Sequence, residues 1–264
     1  MKKYLEVFRL SFKMQIIWRF DVAMTAVGTV GRILAAWILW GAIFLNRQTV
    51  SGFSFNAMLS YYIISSFLSS LDMSDQISGE ISYTIRDGQF SKHMVTPMNP
   101  QGFFGVMVAG EAAFHLFFSF TAALLCVGVF RINLTLTNDP LKVLYAAAMI
   151  LTGLLFMISF NYFLGILAFK YQNVDGFLYI KGNLISFATG VLVPIAILPG
   201  YIQNIMRFLP FYYITYQPAM ILAGQNVSGL KMGFVILAVW TAAFLIISQV
   251  SYHRFRVKFD GVGI

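Results

Sequence analysis

The length of its apolar runs is what most limits the folds open to this chain. From 142 to 169 the sequence reads KVLYAAAMILTGLLFMISFNYFLGILAF, with its one charged residue, Lys142, at the edge. That run exceeds the ~20 residues a helix needs to cross the hydrocarbon layer of a bilayer. Strands of a membrane barrel would instead alternate in character over about ten residues, so the pattern predicts helices. Six such runs occur, at 22–45, 55–78, 102–130, 142–169, 178–198 and 231–252. Only 11% of the 264 residues are charged, against about 25% in soluble domains. The expected fold is an all-α membrane protein of six transmembrane helices, a single transmembrane domain over 1–264.

The first twenty residues are different. Leu5, Phe8, Phe12 and Ile16 recur at spacings of three and four, with Lys2, Glu6, Arg9 and Lys13 among them. This predicts an amphipathic helix lying in the membrane interface, and its charges argue against a cleavable signal peptide. The third run opens with Asn99-Pro100, a capping residue followed by proline at the first helical position. Cys126 is the single cysteine and lies in an apolar run, so a packing role is expected and no metal cluster is.

The formal charge of +8 is spread in small groups between apolar runs. That arrangement suits orientation at a membrane rather than binding to nucleic acid. With both termini in the cytoplasm, twelve Lys and Arg fall on that side: Lys2, Lys3, Arg9, Lys13, Arg19, Arg86, Lys92, Lys170, Lys181, Arg254, Arg256 and Lys258. Five fall on the other: Arg47, Arg131, Lys142, Arg207 and Lys231. The bias predicts cytoplasmic termini and places the hydrophilic loop 81–100 in the cytoplasm.

That loop reads ISYTIRDGQFSKHMVTPMNP. On the opposite side, 190–218 reads GVLVPIAILPGYIQNIMRFLPFYYITYQP, with prolines at 194, 199, 210 and 218. Four prolines break regular helix, yet the stretch stays apolar. The expected solution is a helix ending near Pro194–Pro199, then a short helical segment over 199–218 that re-enters the outer leaflet. Tyr212, Tyr213 and Tyr216 read as an interfacial aromatic belt.

Both stretches resemble the membrane-spanning permease subunits of ATP-binding-cassette (ABC) exporters, in the type-2 permease superfamily. The first carries Glu80, Ile81, Ile85, Arg86, Asp87, Gly88, Thr96 and Pro97; the second carries Gly190, Pro194, Pro199, Leu209, Pro210, Phe211, Tyr212 and Pro218. The resemblance covers essentially the whole chain. It implies a six-span protomer paired with a second permease, identical or homologous, and with two ABC ATPase subunits that hold the ATP and magnesium. It also implies a prokaryotic cytoplasmic (inner) membrane and an outward-moving hydrophobic or amphiphilic solute, as in multidrug efflux. The chain has no GxxxxGK[ST] string and no Gly-Lys dipeptide, so a P-loop must come from another polypeptide. No cofactor and no catalytic residue are expected here.

Within that frame the loop is a coupling helix. Ile85, Phe90 and Met94 are expected to sit in a groove of the ATPase, Arg86, Asp87 and Lys92 to fix register, and Gly88 and Pro97 to turn the chain. The plain alternative is a solvated loop. Ser65, Ser69, Asp72 and Gln76 share a face of the second span, and Asn183, Ser186 and Gly190 one of the fifth. The resemblance puts these spans at the dimer interface along the substrate route; small hydroxyl residues also serve helix packing. Arg32 and Glu111 lie at similar depth and are expected to pair across helices, with His115 one turn from Glu111; a structural lock and a gate are both open readings. The competing classes are an integral membrane enzyme and an ion-driven transporter. His93, His115 and His253 are scattered, and the internal repeats common in secondary transporters are not evident.

Overall fold

A computed structural model describes residues 2–129, 131–171, 174–225, 227 and 229–258. The packing role expected for Cys126 concerns a side chain outside the described residues. Among those residues the fold is wholly helical. Helix α1 spans Lys2–Ile17, α2 Arg19–Phe44, α3 Phe55–Leu71, α4 Asp75–Arg86, α5 Ser91–Val95 and α6 Pro100–Val129. Then follow α7 Pro140–Ile166, α8 Ala168–Tyr171, α9 Asp175–Ala188, α10 Gly200–Met206, α11 Gln217–Leu222 and α12 Leu230–Phe255.

Among the described residues, four helical stretches are long and apolar enough to cross a membrane: Phe20–Phe44, Pro100–Val129, Pro140–Tyr171 and Leu230–Phe255. The other two expected spans are broken. The run 55–78 is helical only to Leu71, bends at Asp72–Met73 and resumes as α4. The run 178–198 stops as a helix at Ala188, short of the expected Pro194–Pro199. There Gly190 takes φ +75° and its carbonyl accepts a 2.7 Å hydrogen bond from the Tyr61 hydroxyl. Side chains rarely adopt that backbone, so the glycine sets where the helix ends.

Local chemistry fixes the other boundaries. Asn99 Oδ1 accepts from the backbone N–H of Gln101 at 2.9 Å and of Gly102 at 3.3 Å, capping α6 ahead of Pro100. Asp139 does the same for α7, accepting from Leu141 N–H at 3.0 Å. Helix α1 lies along α6, with Phe12 edge-on to Phe114 at 5.3 Å and Lys3 Nζ donating to the Pro97 carbonyl.

Four packing centres organise the described residues, one of them Ile33, Leu59, Ile63 and Ala123 between α2, α3 and α6. Ile77, Ile81, Phe90, Phe104, Tyr162 and Tyr252 join α4, α6, α7 and α12. Met149, Phe156, Ile221 and Leu237 join α7 to α11 and α12. Trp40, Met58, Tyr61, Ile195 and Tyr216 join α2 and α3 to the proline-rich segment. Leu151 and Val239, 65% and 63% exposed, point outward from α7 and α12, as lipid-facing positions do when packing rather than apolar burial holds helices together.

The proline-rich segment is a series of short helical pieces: a 3-10 turn Ile195–Ile197, α10, a π-helical turn Tyr212–Tyr216 and α11. Pro194 and Pro199 precede helical turns, and Pro218 follows the π-helical turn, whose bond from Gln217 N–H to the Tyr212 carbonyl carries the chain into α11. The tyrosines correct one expectation. Tyr213 and Tyr216 are each 5% exposed and pack in the core, so they are not a belt. The Tyr216 ring turns inward against Tyr61 at 5.7 Å, and the Tyr213 ring packs with Phe156 and Leu237.

Candidate functional site

A cavity of about 220 Å³ lies where α3, α7, α9 and the π-helical turn meet. Ser69 and Asp72 face it from α3, Asp75 from α4, and Gly182, Ser186 and Thr189 from α9. Three residues read as path-lining, Ser69, Asp72 and Ser186, are therefore brought together. The others are not. Ser65 is buried, with its hydroxyl donating to the Tyr62 carbonyl at 3.2 Å. Gln76 and Asn183 are exposed on other faces, and Gly190 is buried beneath Tyr61. Gln76 leaves the shared face because the bend at 72–74 starts a new helix; the four-residue rhythm assumed a continuous one.

Behind the cavity is a polar network that the sequence reading did not single out. The Lys181 side chain is 3% exposed, and its ammonium makes three contacts: Asn161 Oδ1 at 2.6 Å, Ser78 Oγ at 2.9 Å and Asp75 Oδ1 at 2.5 Å. An ammonium has three donors, so each is used. Asn161 Nδ2 donates to Ser74 Oγ at 2.8 Å, and Ser74 Oγ donates to Asp72 Oδ1 at 2.5 Å. The chain of bonds runs from α9 through α7 to the bend between α3 and α4. Asn161 was visible as an amide within an apolar run, and Lys181 as a cation there. It had been counted only as an orientation charge.

A second link ties α4 to α9. Arg86 donates to Asp175 Oδ2 at 2.7 Å, joining the end of α4 to the start of α9. The hydrogen bond and the opposite charge of Asp175 push Arg86 above its ordinary pKa. Two ionic contacts, one near each end of α4, thus hold it to the helix that forms one wall of the cavity.

The segment after α4 turns at Gly88, with φ +73°, into α5. Here the expected coupling residues are corrected. Ile85 is 6% exposed and Phe90 0%; both pack inside the protomer, Phe90 edge-on to Phe169 at 5.2 Å. They cannot enter a partner's groove. The elbow turns the apolar side chains of α4 and α5 back onto α7, α8 and α12, where Met94 also packs, half-buried. What faces outward is Tyr83, 56% exposed, and Val95, 83% exposed, with Asp87, Gln89, Lys92 and Pro97 exposed beside them. Asp87 Oδ2 accepts from Gln89 Nε2 at 2.5 Å, bracing the turn.

Arg32 and Glu111 are not joined. Arg32 donates to Thr29 Oγ1 at 3.0 Å on its own helix, and Glu111 Oε2 has no hydrogen-bond partner among the described residues. No Arg32–Glu111 ion pair is present among the described residues. His115 is 4% exposed, one turn from Glu111 on α6. On the far side, Pro210 precedes Phe211, which packs edge-on to Phe156 and Phe160 at 5.7 and 5.6 Å, and Tyr212 lies against Tyr216 at 4.9 Å.

Long apolar helices around a polar cavity, with an elbow tied to one cavity wall, define a helical membrane protein. Residues 30–263 match the profile of the ABC-2 family transporter proteins, and the chain belongs to that family. It is thus a permease component of an ABC transporter, a transport part and not itself a catalyst. Among curated proteins, none matches the sequence.

Proposed function

We propose that this chain is the permease of an ABC exporter that moves a hydrophobic or amphiphilic solute outward by alternating access. Family membership supports the transporter class, and the double tether of α4 to α9 carries the mechanism. In this reading α3 and α9 are the second and fifth of six spans, shortened by the bend at Asp72 and the stop at Gly190. A 17-residue helix such as α3 covers about 25 Å at 1.5 Å per residue, just short of the hydrocarbon thickness. The charge bias supports cytoplasmic termini and the re-entrant segment on the outer side of a prokaryotic inner membrane.

The energy comes from two partner ATPase subunits that bind ATP and magnesium. Their closure pushes the elbow at Gly88 through the exposed Tyr83–Pro97 surface. Arg86–Asp175 and Asp75–Lys181 transmit that push to α9, shifting Gly182 and Ser186 relative to Ser69 and Asp72 across the cavity. A second permease, identical or homologous, closes the path opposite α9. Greasy walls with a few hydroxyls and carboxylates suit an amphiphile. The test is reconstitution of the complex in liposomes. Amphiphiles that stimulate ATP hydrolysis should also accumulate on the side away from the ATPase, and stimulation without such movement defeats the exporter reading.

A further inference from the structure

A second cavity, of about 300 Å³, opens between the proline-rich segment and the start of α12. Arg207 stands at its rim, Tyr212, Tyr213 and Tyr216 form one wall, and Gln217 and Gly233 lie at its base. The Tyr213 hydroxyl donates to the Arg207 carbonyl at 2.6 Å and fixes that corner. The Arg207 side chain is exposed within reach of the Tyr212 hydroxyl, and it forms no ion pair among the described residues. Gln217 is 2% exposed, yet its Oε1 has no hydrogen-bond partner among the described residues. A buried acceptor left unpaired is costly. Gly233 keeps room for it, since a Cβ there would come within 2.4 Å of Oε1.

Directly along α12 runs an apolar groove of about 340 Å³, lined by Phe208, Val235, Val239 and Trp240. Cavity and groove meet at the Arg207–Phe208 corner. A cation above an apolar slot is the chemistry that recognises a lipid: Arg207 for the phosphate, Gln217 Oε1 for a hydroxyl or ammonium donor, and the groove for an acyl chain. We propose that this face binds a phospholipid whose headgroup carries such a donor, with the headgroup in the polar cavity and one chain along α12. Its assignment to the outer leaflet rests on the orientation proposed above; the binding chemistry does not.

The test uses the purified full chain in detergent, titrated with phosphatidylethanolamine carrying brominated acyl chains, which quench nearby tryptophan. Saturable quenching is expected above the unsaturated quenching of the exposed Trp18 and Trp37, and Trp240→Phe should remove the saturable part. Arg207→Gln should weaken binding about tenfold, the loss of one charge-assisted hydrogen bond, whereas Lys231→Gln should leave it unchanged. Arg207→Lys should fall between, which keeps the test readable if the glutamine variant folds poorly. Unlabelled dihexanoyl phosphatidylethanolamine should compete about tenfold better than dihexanoylglycerol or inorganic phosphate, in line with both parts being needed. Equal competition by inorganic phosphate would assign the cavity to a free anion and overturn the lipid proposal, as would wild-type binding by Arg207→Gln or an equal loss in Lys231→Gln. No ATPase is involved, so failure here leaves the exporter reading untouched.

Discussion

Lys181 Nζ lies 2.5 Å from Asp75 Oδ1, although the lysine side chain is 3% exposed and that of the aspartate 68%. The cation is sunk in the protein, while its counter-charge sits at the mouth of the cavity. A buried ammonium is tolerable only when paired and fully hydrogen-bonded. Asn161 and Ser78 complete the set. Any movement that carries Asp75 away from α9 therefore costs free energy, and α4 and α9 are held to move together.

Asp75→Asn should consequently destabilise the protein more than Lys181→Met. The first leaves a buried ammonium without a counter-charge, at a cost approaching about 3 kcal/mol. It is tempered because the carboxylate faces solvent. The second removes the charge and leaves Asn161 Oδ1 and Ser78 Oγ short of a donor, about 1–3 kcal/mol. The double variant should match Lys181→Met alone, because the groups act as one unit. Unfolding midpoints in detergent would decide this, and equal or reversed effects would reject the network as drawn.

The Arg86–Asp175 contact predicts a different signature. Both side chains are partly exposed, at 40% and 55%, so Arg86→Ala should barely shift the unfolding midpoint. In reconstituted complex it should instead reduce solute-stimulated ATP hydrolysis by severalfold, since one of the two tethers is gone. Exchange of the pair, Arg86→Asp with Asp175→Arg, should restore stimulation. If both variants behave as wild type, the tether does not carry the coupling.

How much of this was legible beforehand depends on which forces act locally. Helix starts at Asn99-Pro100 and the position of the proline-rich segment follow from backbone chemistry that any neighbour leaves intact. The break of the second apolar run at Asp72 does not, because hydropathy continues smoothly through the bend. Asp72 and Ser74 satisfy each other there, 2.5 Å apart, and turn the chain without a proline or glycine to announce it. The error passed to Gln76, which periodicity placed on the wrong helix. Phe90 failed for a related reason. Its burial depends on Gly88 folding α5 back onto Phe169 and Tyr252, a tertiary contact invisible in a short amphipathic stretch. Lys181 was misread because the orientation rule counts cations and ignores the partners that let one stay inside.

Gly190→Ala should cost about 2 kcal/mol or more. The left-handed backbone alone penalises a side chain by roughly 1–2 kcal/mol, and the new Cβ would sit 2.9 Å from the Tyr61 hydroxyl. Tyr61→Phe, which removes only that hydroxyl and its bond to Gly190, should cost about 1 kcal/mol. In the Tyr61→Phe background the alanine should hurt less, because part of the clash is gone. Unfolding midpoints of the four proteins test this; strict additivity would mean Tyr61 and Gly190 do not meet as drawn.

His93 supplies a pH dependence. Its ring lies 5.0–5.3 Å from those of Phe90, Phe103 and Phe104, and its Nε2 is buried without a partner among the described residues. Burial, with Lys92 adjacent, lowers its pKa below the ordinary value, about 6.5 in an unfolded chain. The folded state thus prefers the neutral ring. Its contribution is present at neutral pH and fades as pH falls below about 6.5, where the unfolded chain binds the proton first. Wild type should lose stability between pH 7 and 5 more steeply than His93→Leu, as read from unfolding midpoints across that range. Parallel curves would remove His93 from the account.

The surface that meets the ATPase should be readable by separating what is exposed from what is buried on the same elbow. Val95, at 83% exposure, and Tyr83, at 56%, touch solvent, whereas Phe90 at 0% belongs to the core. Val95→Asp and Tyr83→Ala should leave the unfolding midpoint within about 0.5 kcal/mol of wild type and yet reduce co-purification with the ATPase at least tenfold, because a charge or a gap at the centre of an interface is expensive. Phe90→Ala should do the reverse first. It opens a cavity worth about 3–5 kcal/mol, so lost co-purification would track lost folding and return at lower temperature. An elbow that docks through its buried face would give the opposite ranking, with Phe90→Ala folded but unable to bind. That outcome would require the elbow to unfold from α7 and α12 on assembly, and the tethers through Arg86 and Asp75 would then have nothing rigid to pull on.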